Sequence, residues 1–283
     1  MGIFATYISP FLKFILKMRR LQMIKKIGAQ IFTVRDFLGD EEQIRSSFKK
    51  LKAIGYDTIQ TAGVPKISYE LFGKIAAECG IEICGTHDDF QCMLDTPEIA
   101  IENHKLLNTK IMGIGGKGFL DGPDEAVGYH TEEQLWNTIK QINTVTDSIG
   151  HAGFIFTYHN HGHEFAKRDG KNIMDIIFEN TDKNRFKMCL DTYWAQYTGI
   201  DVCKFIKEHG DRIAILHLKD MGRGRKGPCM AEIGQGNMNW QGIIEESVNA
   251  GIEHFIVEQD DCYGKDPFEC LKTSYDYISK NFM

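Results

Sequence analysis

With 283 residues, 42% of them hydrophobic and 25% charged, the chain has the composition of a soluble globular protein and enough length for one large domain or two small ones. A formal net charge of −6 argues against a dedicated nucleic-acid binder, which carries a basic face. The eight cysteines form no C-x-x-C pair and no regular framework, and Cys84 and Cys189 sit in apolar runs. They read as reduced side chains in a reducing compartment, the cytoplasm.

The chain opens on an apolar, aromatic stretch interrupted by Lys13 and Lys17 and followed by Arg19 and Arg20. This is too short for a membrane span, and its charges follow the apolar run, the reverse of a secretory signal. Met1-Gly2-Ile3-Phe4-Ala5-Thr6 formally fits a myristoylation pattern, and an amphipathic surface helix is an alternative. The preferred reading is an extension, residues 1–23, outside the folded domain of residues 24–283, with Met23 as an alternative start.

From Ile24 the sequence alternates. Strands are expected over Ile27–Val34, Tyr56–Thr61, Ile81–His87 and Lys110–Ile114. Helices are expected over Glu41–Ile54, Ser68–Cys79 and Pro97–Leu107; Gly55 and Gly80 end the first two, and Pro97 opens the third. Gly113 to Gly118 reads as a flexible loop. The second half continues with a long helix, Thr131–Ile149, capped by Thr131. Strands then fall over Gly153–Tyr158, Arg185–Asp191, Arg212–Leu218 and His254–Glu258. Helices alternate with them over Asn172–Glu179, Asp201–His209, Asn239–Ala250 and Pro267–Lys280. Roughly eight strand–helix units with no dividing linker predict an eight-fold α/β barrel, the (β/α)8 TIM barrel. A doubly wound open sheet is disfavoured because no G-x-G-x-x-G follows the first strand.

Barrel chemistry sits at the C-terminal ends of the strands, and here those ends are titratable. Strand three ends at His87. Strand five runs into Tyr158-His159-Asn160-His161-Gly162-His163-Glu164, three histidines and a carboxylate in one short stretch. Asp191, His217 and Glu258 each follow an apolar run directly, on three successive strands. A lone histidine there is commonly structural, and a lone aspartate commonly a helix cap. Convergence of carboxylate, imidazole and carboxylate with one group from strand five instead predicts a site for one divalent ion such as Mn²⁺, Zn²⁺, Mg²⁺ or Co²⁺.

These stretches resemble the xylose-isomerase-like barrel superfamily, in the group labelled sugar phosphate isomerase/epimerase. The resemblance runs from Ile27 to about Lys280. It rests on Gln30-Ile31-Phe32-Thr33-Val34-Arg35-Asp36, Tyr158-His159-Asn160-His161, Leu190-Asp191-Thr192-Tyr193-Trp194, His217-Leu218-Lys219-Asp220, Glu232-Ile233-Gly234-Gln235-Gly236-Asn237 and Val257-Glu258-Gln259-Asp260. It implies a metal set of Glu, Asp, His and Glu from strands five to eight, onto which Asp191, His217 and Glu258 map. The first slot departs: this chain has His159 where many relatives have Glu, so either His159 or Glu164 fills it. Gln30, His161 and Glu232 lie in the matching stretches and are expected to contact substrate.

The implied chemistry is proton abstraction beside a sugar carbonyl, giving an epimer, an isomer or, by loss of a β-hydroxyl, a dehydrated sugar such as an inosose dehydratase makes. Glu258 is expected to move protons as well as hold metal. Lys219, two residues after His217 and so on the same strand face, is expected to have a depressed pKa beside a cation and to act as base or donor; its bland alternative is a salt bridge to Asp220 or Glu232. His87 is a further acid–base candidate. Trp194, Tyr193 and Phe90 are candidates for an apolar face under a sugar ring. An apurinic endonuclease is disfavoured, because the third residue after Asp191 is Trp194 rather than His; a non-catalytic sugar-binding protein is the remaining alternative.

The basic loop Met221-Gly222-Arg223-Gly224-Arg225-Lys226-Gly227 has two readings. Arg223 could grip the phosphate of a sugar phosphate. The preferred reading is an unphosphorylated keto-sugar substrate, with the loop acting as a lid or as a contact between subunits of a homo-oligomer.

Overall fold

The structure, a computed structural model, describes residues 24–115 and 131–283. The expected N-terminal extension and the part of the glycine-rich loop from residue 116 lie outside the described residues. Eight parallel strands form the barrel: β1 (Ile27–Gln30), β2 (Thr58–Ala62), β3 (Glu82–His87), β4 (Ile111–Ile114), β5 (Ile155–His159), β6 (Phe186–Asp191), β7 (Ile213–Leu218) and β8 (His254–Val257). They hydrogen-bond in the order β3-β2-β1-β8-β7-β6-β5-β4. The remaining seam, between β3 and β4, is bridged just beyond the strand by Asp88 N–H donating to the Gly113 carbonyl at 2.8 Å. The barrel is thus nearly closed, with helices around it.

Elements and their stops follow local chemistry. The helix Glu41–Ile54 is capped by Asp40, whose side chain accepts from Gln43 N–H. It ends at Gly55, whose φ of 126° lets the chain turn back while its N–H reaches Leu51 and Lys52 carbonyls. Thr131 and Gln134 make a reciprocal capping box at the start of Glu132–Gly150. β1 is shorter than its apolar run suggests. Gln30 accepts from Phe32 N–H and turns Ile31–Phe37 into a 3-10 helix, so Thr33 and Val34 are buried outside the ladder.

Inside the barrel the two-residue repeat of a strand sets the layers. Cys84, Ile111, Cys189, Ile215 and Ile256 form a buried apolar cluster. Two residues on from three of these stand Asp191, His217 and Glu258, so the same inward face turns from apolar to titratable within one repeat. Gly28 is required by this packing: a Cβ there would lie 2.4 Å from Ile256 Cδ1 and 2.9 Å from the Thr58 carbonyl oxygen.

Two antiparallel ribbons decorate the barrel, Lys167–Arg168 with Lys171–Asn172 and Asp220–Gly224 with Gly227–Ala231. The second corrects the reading of Met221–Gly227 as a loop, because cross-strand pairing from Asp220–Ala231 to Gly224–Gly227 orders it. All eight cysteines are free. No helix among the described residues is long and apolar enough to cross a membrane.

Candidate active site and metal centre

The strand ends gather four buried side chains. His159, Asp191, His217 and Glu258 each offer a donor atom, and these four atoms lie within 4.8 Å of one another. His159 Nε2 is 3.9 Å from Asp191 Oδ2, and His217 Nδ1 is 2.9 Å from Glu258 Oε2. The register explains the meeting: Asp191 of β6 lies opposite His217 of β7, and Ile256 of β8 opposite His217 puts Glu258 two residues further on the same side.

Each ligand candidate is held from behind. Asp191 Oδ1 accepts from Trp194 N–H at 3.0 Å, and Asn160 Oδ1 accepts from Asp191 N–H at 2.8 Å. His217 Nε2 is in contact with Gln60 Oε1, which also accepts from Gln30 Nε2 at 3.1 Å. An amide oxygen on that side makes Nε2 the protonated nitrogen and leaves Nδ1 facing Glu258. Gln30 therefore reaches the site through Gln60, a buried residue of β2 that the sequence reading passed over.

Glu164 stands outside this quartet. Its carboxylate accepts from the Tyr158 hydroxyl and from His161 N–H at 2.9 Å, and His163 Nε2 lies 3.1 Å away. The 3-10 turn His163–Phe165 folds it back on its own strand. Of the two candidates for the strand-five slot, the geometry brings His159 to the other three.

Lys219, 1% exposed, sits among carboxylates. Its Nζ is 2.9 Å from Asp191 Oδ2, 2.9 Å from Glu258 Oε2 and 2.8 Å from Asp260 Oδ1. Burial lowers the affinity of this amine for a proton, but Asp191, Glu258 and Asp260 outweigh it and hold it well above the ordinary lysine range. This pull opposes the depression expected of the amine beside a cation. These carboxylates also replace the expected partners: Glu232 pairs with Lys265 at 2.7 Å, and Asp220 accepts from the N–H groups of Met221, Gly234, Gly236 and Met238 and from Trp240 Nε1. Burial raises the Glu258 carboxyl, yet Lys219 and His217 hold it well below the usual range. Asp260 is pushed up to about 6 by burial and by the charge of Glu258.

The opposite wall is imidazole. The His87 ring lies 4.9 Å from that of His159 and 5.4 Å from that of His217, and burial, then His217, pushes it down to about 3. His159 is likewise held well below the imidazole range by burial and by its histidine neighbours. His87 Nε2 and His159 Nδ1 are buried without a hydrogen-bond partner among the described residues. His161 meets the edge of Trp194 at 5.4 Å, and Lys219 Nζ lies 5.9 Å over the same indole. Arg223, with Arg225 and Lys226, is exposed on the ribbon after β7. A cavity of about 1340 Å³ opens at the other end of the barrel, among Lys26, Thr58, Cys84 and Phe255, away from this constellation.

Two imidazoles and two carboxylates converging with an unpartnered imidazole nitrogen are a fitting donor set for a borderline-to-hard divalent ion. The neighbouring buried amine adds a proton-handling group.

The sequence model of the xylose isomerase-like TIM barrel family matches residues 48–273. Comparison with curated proteins gives no match. Among solved structures, a sugar phosphate isomerase/epimerase from Parabacteroides distasonis is 22% identical over 92% of this chain and 95% of that one, with a TM-score of 0.73. An L-ribulose 3-epimerase is 13% identical over 91% and 94%, TM-score 0.72. A probable 3-DHS dehydratase from Bacillus anthracis is 14% identical over 90% and 98%, TM-score 0.68. At these identities the likeness is one of fold.

Proposed function

The chain belongs to the xylose isomerase-like TIM barrel family, and we propose that it is a divalent-metal-dependent isomerase or epimerase moving a proton beside the carbonyl of a keto-sugar or related polyol. The observation that carries this reading is the placement of the buried Lys219 ammonium within 2.9 Å of both Asp191 and Glu258, at the mouth of the imidazole–carboxylate quartet. A proton donor and acceptor thus stand beside a cation site, as enolisation requires.

His159, Asp191, His217 and Glu258 would hold the ion, which when bound supplies polarisation of a sugar carbonyl and charge neutralisation at its oxygen. Glu258 takes the proton from the carbon beside the carbonyl, and Lys219 donates toward the oxygen on which charge develops. Asp260 orients the amine and links it to solvent, being 26% exposed at its side chain. His87, neutral across the physiological range, offers a hydrogen bond to a sugar hydroxyl from the opposite wall. His161 and Trp194 line the side above Asp191 as substrate contacts, the indole giving an apolar face. With the basic residues of the ribbon exposed, the substrate is read as unphosphorylated. The folded catalytic unit is assigned to residues 24–283, and the eight free cysteines accord with a cytoplasmic, reducing setting.

The test is incubation of the Mn²⁺-loaded protein with a panel of keto-sugars and inososes in D₂O. Solvent deuterium should appear at the carbon beside the carbonyl, and Glu258→Gln should abolish it. Sugar bound without exchange would make this a binding protein, and release of a dehydrated sugar would make it a lyase.

A further inference from the structure

A second donor set lies one layer deeper. His87, His159, Cys189 and His217 each offer one ligand atom, and these four atoms also lie within 4.8 Å of one another. Cys189 belongs to the apolar layer of the barrel and is fully buried, but its Sγ faces upward: Gln60 Nε2 lies 3.9 Å from it. Two nitrogens of this group, His87 Nε2 and His159 Nδ1, are buried and find no hydrogen-bond partner among the described residues. A buried imidazole nitrogen left unpaired is costly, and two beside a thiol form a cluster that hydrogen bonding within the protein does not account for.

The chemistry of this set differs from that of the quartet above it. Three imidazoles and a thiol are soft-to-borderline donors with no carboxylate, the mixture that suits Zn²⁺, Co²⁺ or Cd²⁺ in tetrahedral geometry and does not suit Mg²⁺. Tetrahedral bonds of about 2.0–2.3 Å put ligand atoms roughly 3.3–3.8 Å apart, so side-chain rotations closing the group by about an ångström suffice. We propose that the barrel carries a second, thiophilic metal position formed by His87, His159, Cys189 and His217, beneath the carboxylate-containing one. On binding, the Cys189 thiol passes its proton to solvent and the sulfur ligates as thiolate. Because His159 and His217 belong to both sets, an ion in the lower position draws two shared rings away from the upper one. A thiophilic ion therefore displaces a hard one.

The experiment titrates metal-free protein with Co²⁺, and Mn²⁺-loaded protein with Cd²⁺. Wild type and an Asp191→Asn, Glu258→Gln double variant should both develop sulfur-to-cobalt charge-transfer absorption in the near ultraviolet. Cys189→Ser should lose that absorption while still binding Mn²⁺. Cd²⁺ should release Mn²⁺ from the wild type and leave it bound in Cys189→Ser. If Cys189→Ser proves unfolded by circular dichroism, His87→Asn takes its place, with weakened Cd²⁺ binding as the expected result. Wild-type protein without the absorption, a Cys189→Ser spectrum equal to wild type, undiminished Cd²⁺ binding in His87→Asn, or Cd²⁺ uptake without Mn²⁺ release would each overturn the proposal.

Discussion

Lys219 Nζ lies 2.9 Å from Asp191 Oδ2, a contact between the ends of neighbouring strands that ties a buried ammonium to a buried carboxylate. The same nitrogen reaches Glu258 Oε2 at 2.9 Å, so one amine touches both carboxylates of the quartet. An ion held by the quartet would lean on the same oxygens as the ammonium. Removing the amine leaves Asp191, Glu258 and Asp260 facing one another without their positive partner. Lys219→Met should lose turnover and about 3–5 kcal/mol of stability, the usual consequence of breaking a buried ion pair. Saturating Mn²⁺ should restore more melting temperature to the variant than it adds to wild type. Equal increments, read by thermal denaturation with and without metal, would show that the amine and the ion do not share a role.

His159 and Glu164 are expected to separate by function. His159→Ala should lower bound Mn²⁺ strongly in elemental analysis. Glu164→Gln should leave metal content near wild type and instead weaken the fold by about 1–3 kcal/mol, as a buried acceptor for Tyr158 and His161 N–H is altered. The reverse pattern would return the strand-five slot to Glu164.

Gln60 is expected to act through His217. Gln60→Leu removes the acceptor that keeps the proton on Nε2, and metal affinity should fall by about 10- to 100-fold with the fold intact. Gln60→Glu, which keeps an acceptor, should retain most of the affinity. Calorimetric titration with Mn²⁺ measures both; equal losses in the two variants would make Gln60 a packing residue.

The acid limb of stability should report His87. Its folded pKa, about 3, lies below the ordinary imidazole value of about 6.5. A group depressed in this way contributes stability that is present above about pH 6.5 and is lost as pH falls toward its folded value. Urea unfolding between pH 7.5 and 4.5 should therefore decline less steeply in His87→Asn than in wild type. Ring-nitrogen NMR should show His87 neutral through that window; an imidazolium midpoint near 6.5 would contradict this depression.

The barrel was legible because its signals are local. Apolar runs, glycine stops and helix caps recur in every unit, and Asp191, His217 and Glu258 announce themselves by ending such runs. Gln60 does not. It stands among Thr58, Ile59 and Thr61 as an ordinary polar strand residue, and its partner His217 is 157 positions away. The choice between His159 and Glu164 was closed to sequence reading because it turns on one 3-10 turn, His163–Phe165, folding a carboxylate back onto Tyr158. The partners of Lys219 were hidden for a related reason. A neighbouring cation was easy to anticipate from the sequence, but the three carboxylates that surround the amine come from two other strand ends, β6 and β8.

Asp220 adjoins Lys219, and five donors converge on its carboxylate, four backbone N–H groups and the Trp240 indole. That single side chain staples the root of the ribbon Asp220–Ala231 to the segment leading into the helix Trp240–Asn249. None of these five bonds comes from the exposed tip of the ribbon, Arg225 and Lys226. The arrangement works like a lathe with a fixed headstock: the root of the ribbon is clamped beside Lys219 however its solvent-facing tip is turned.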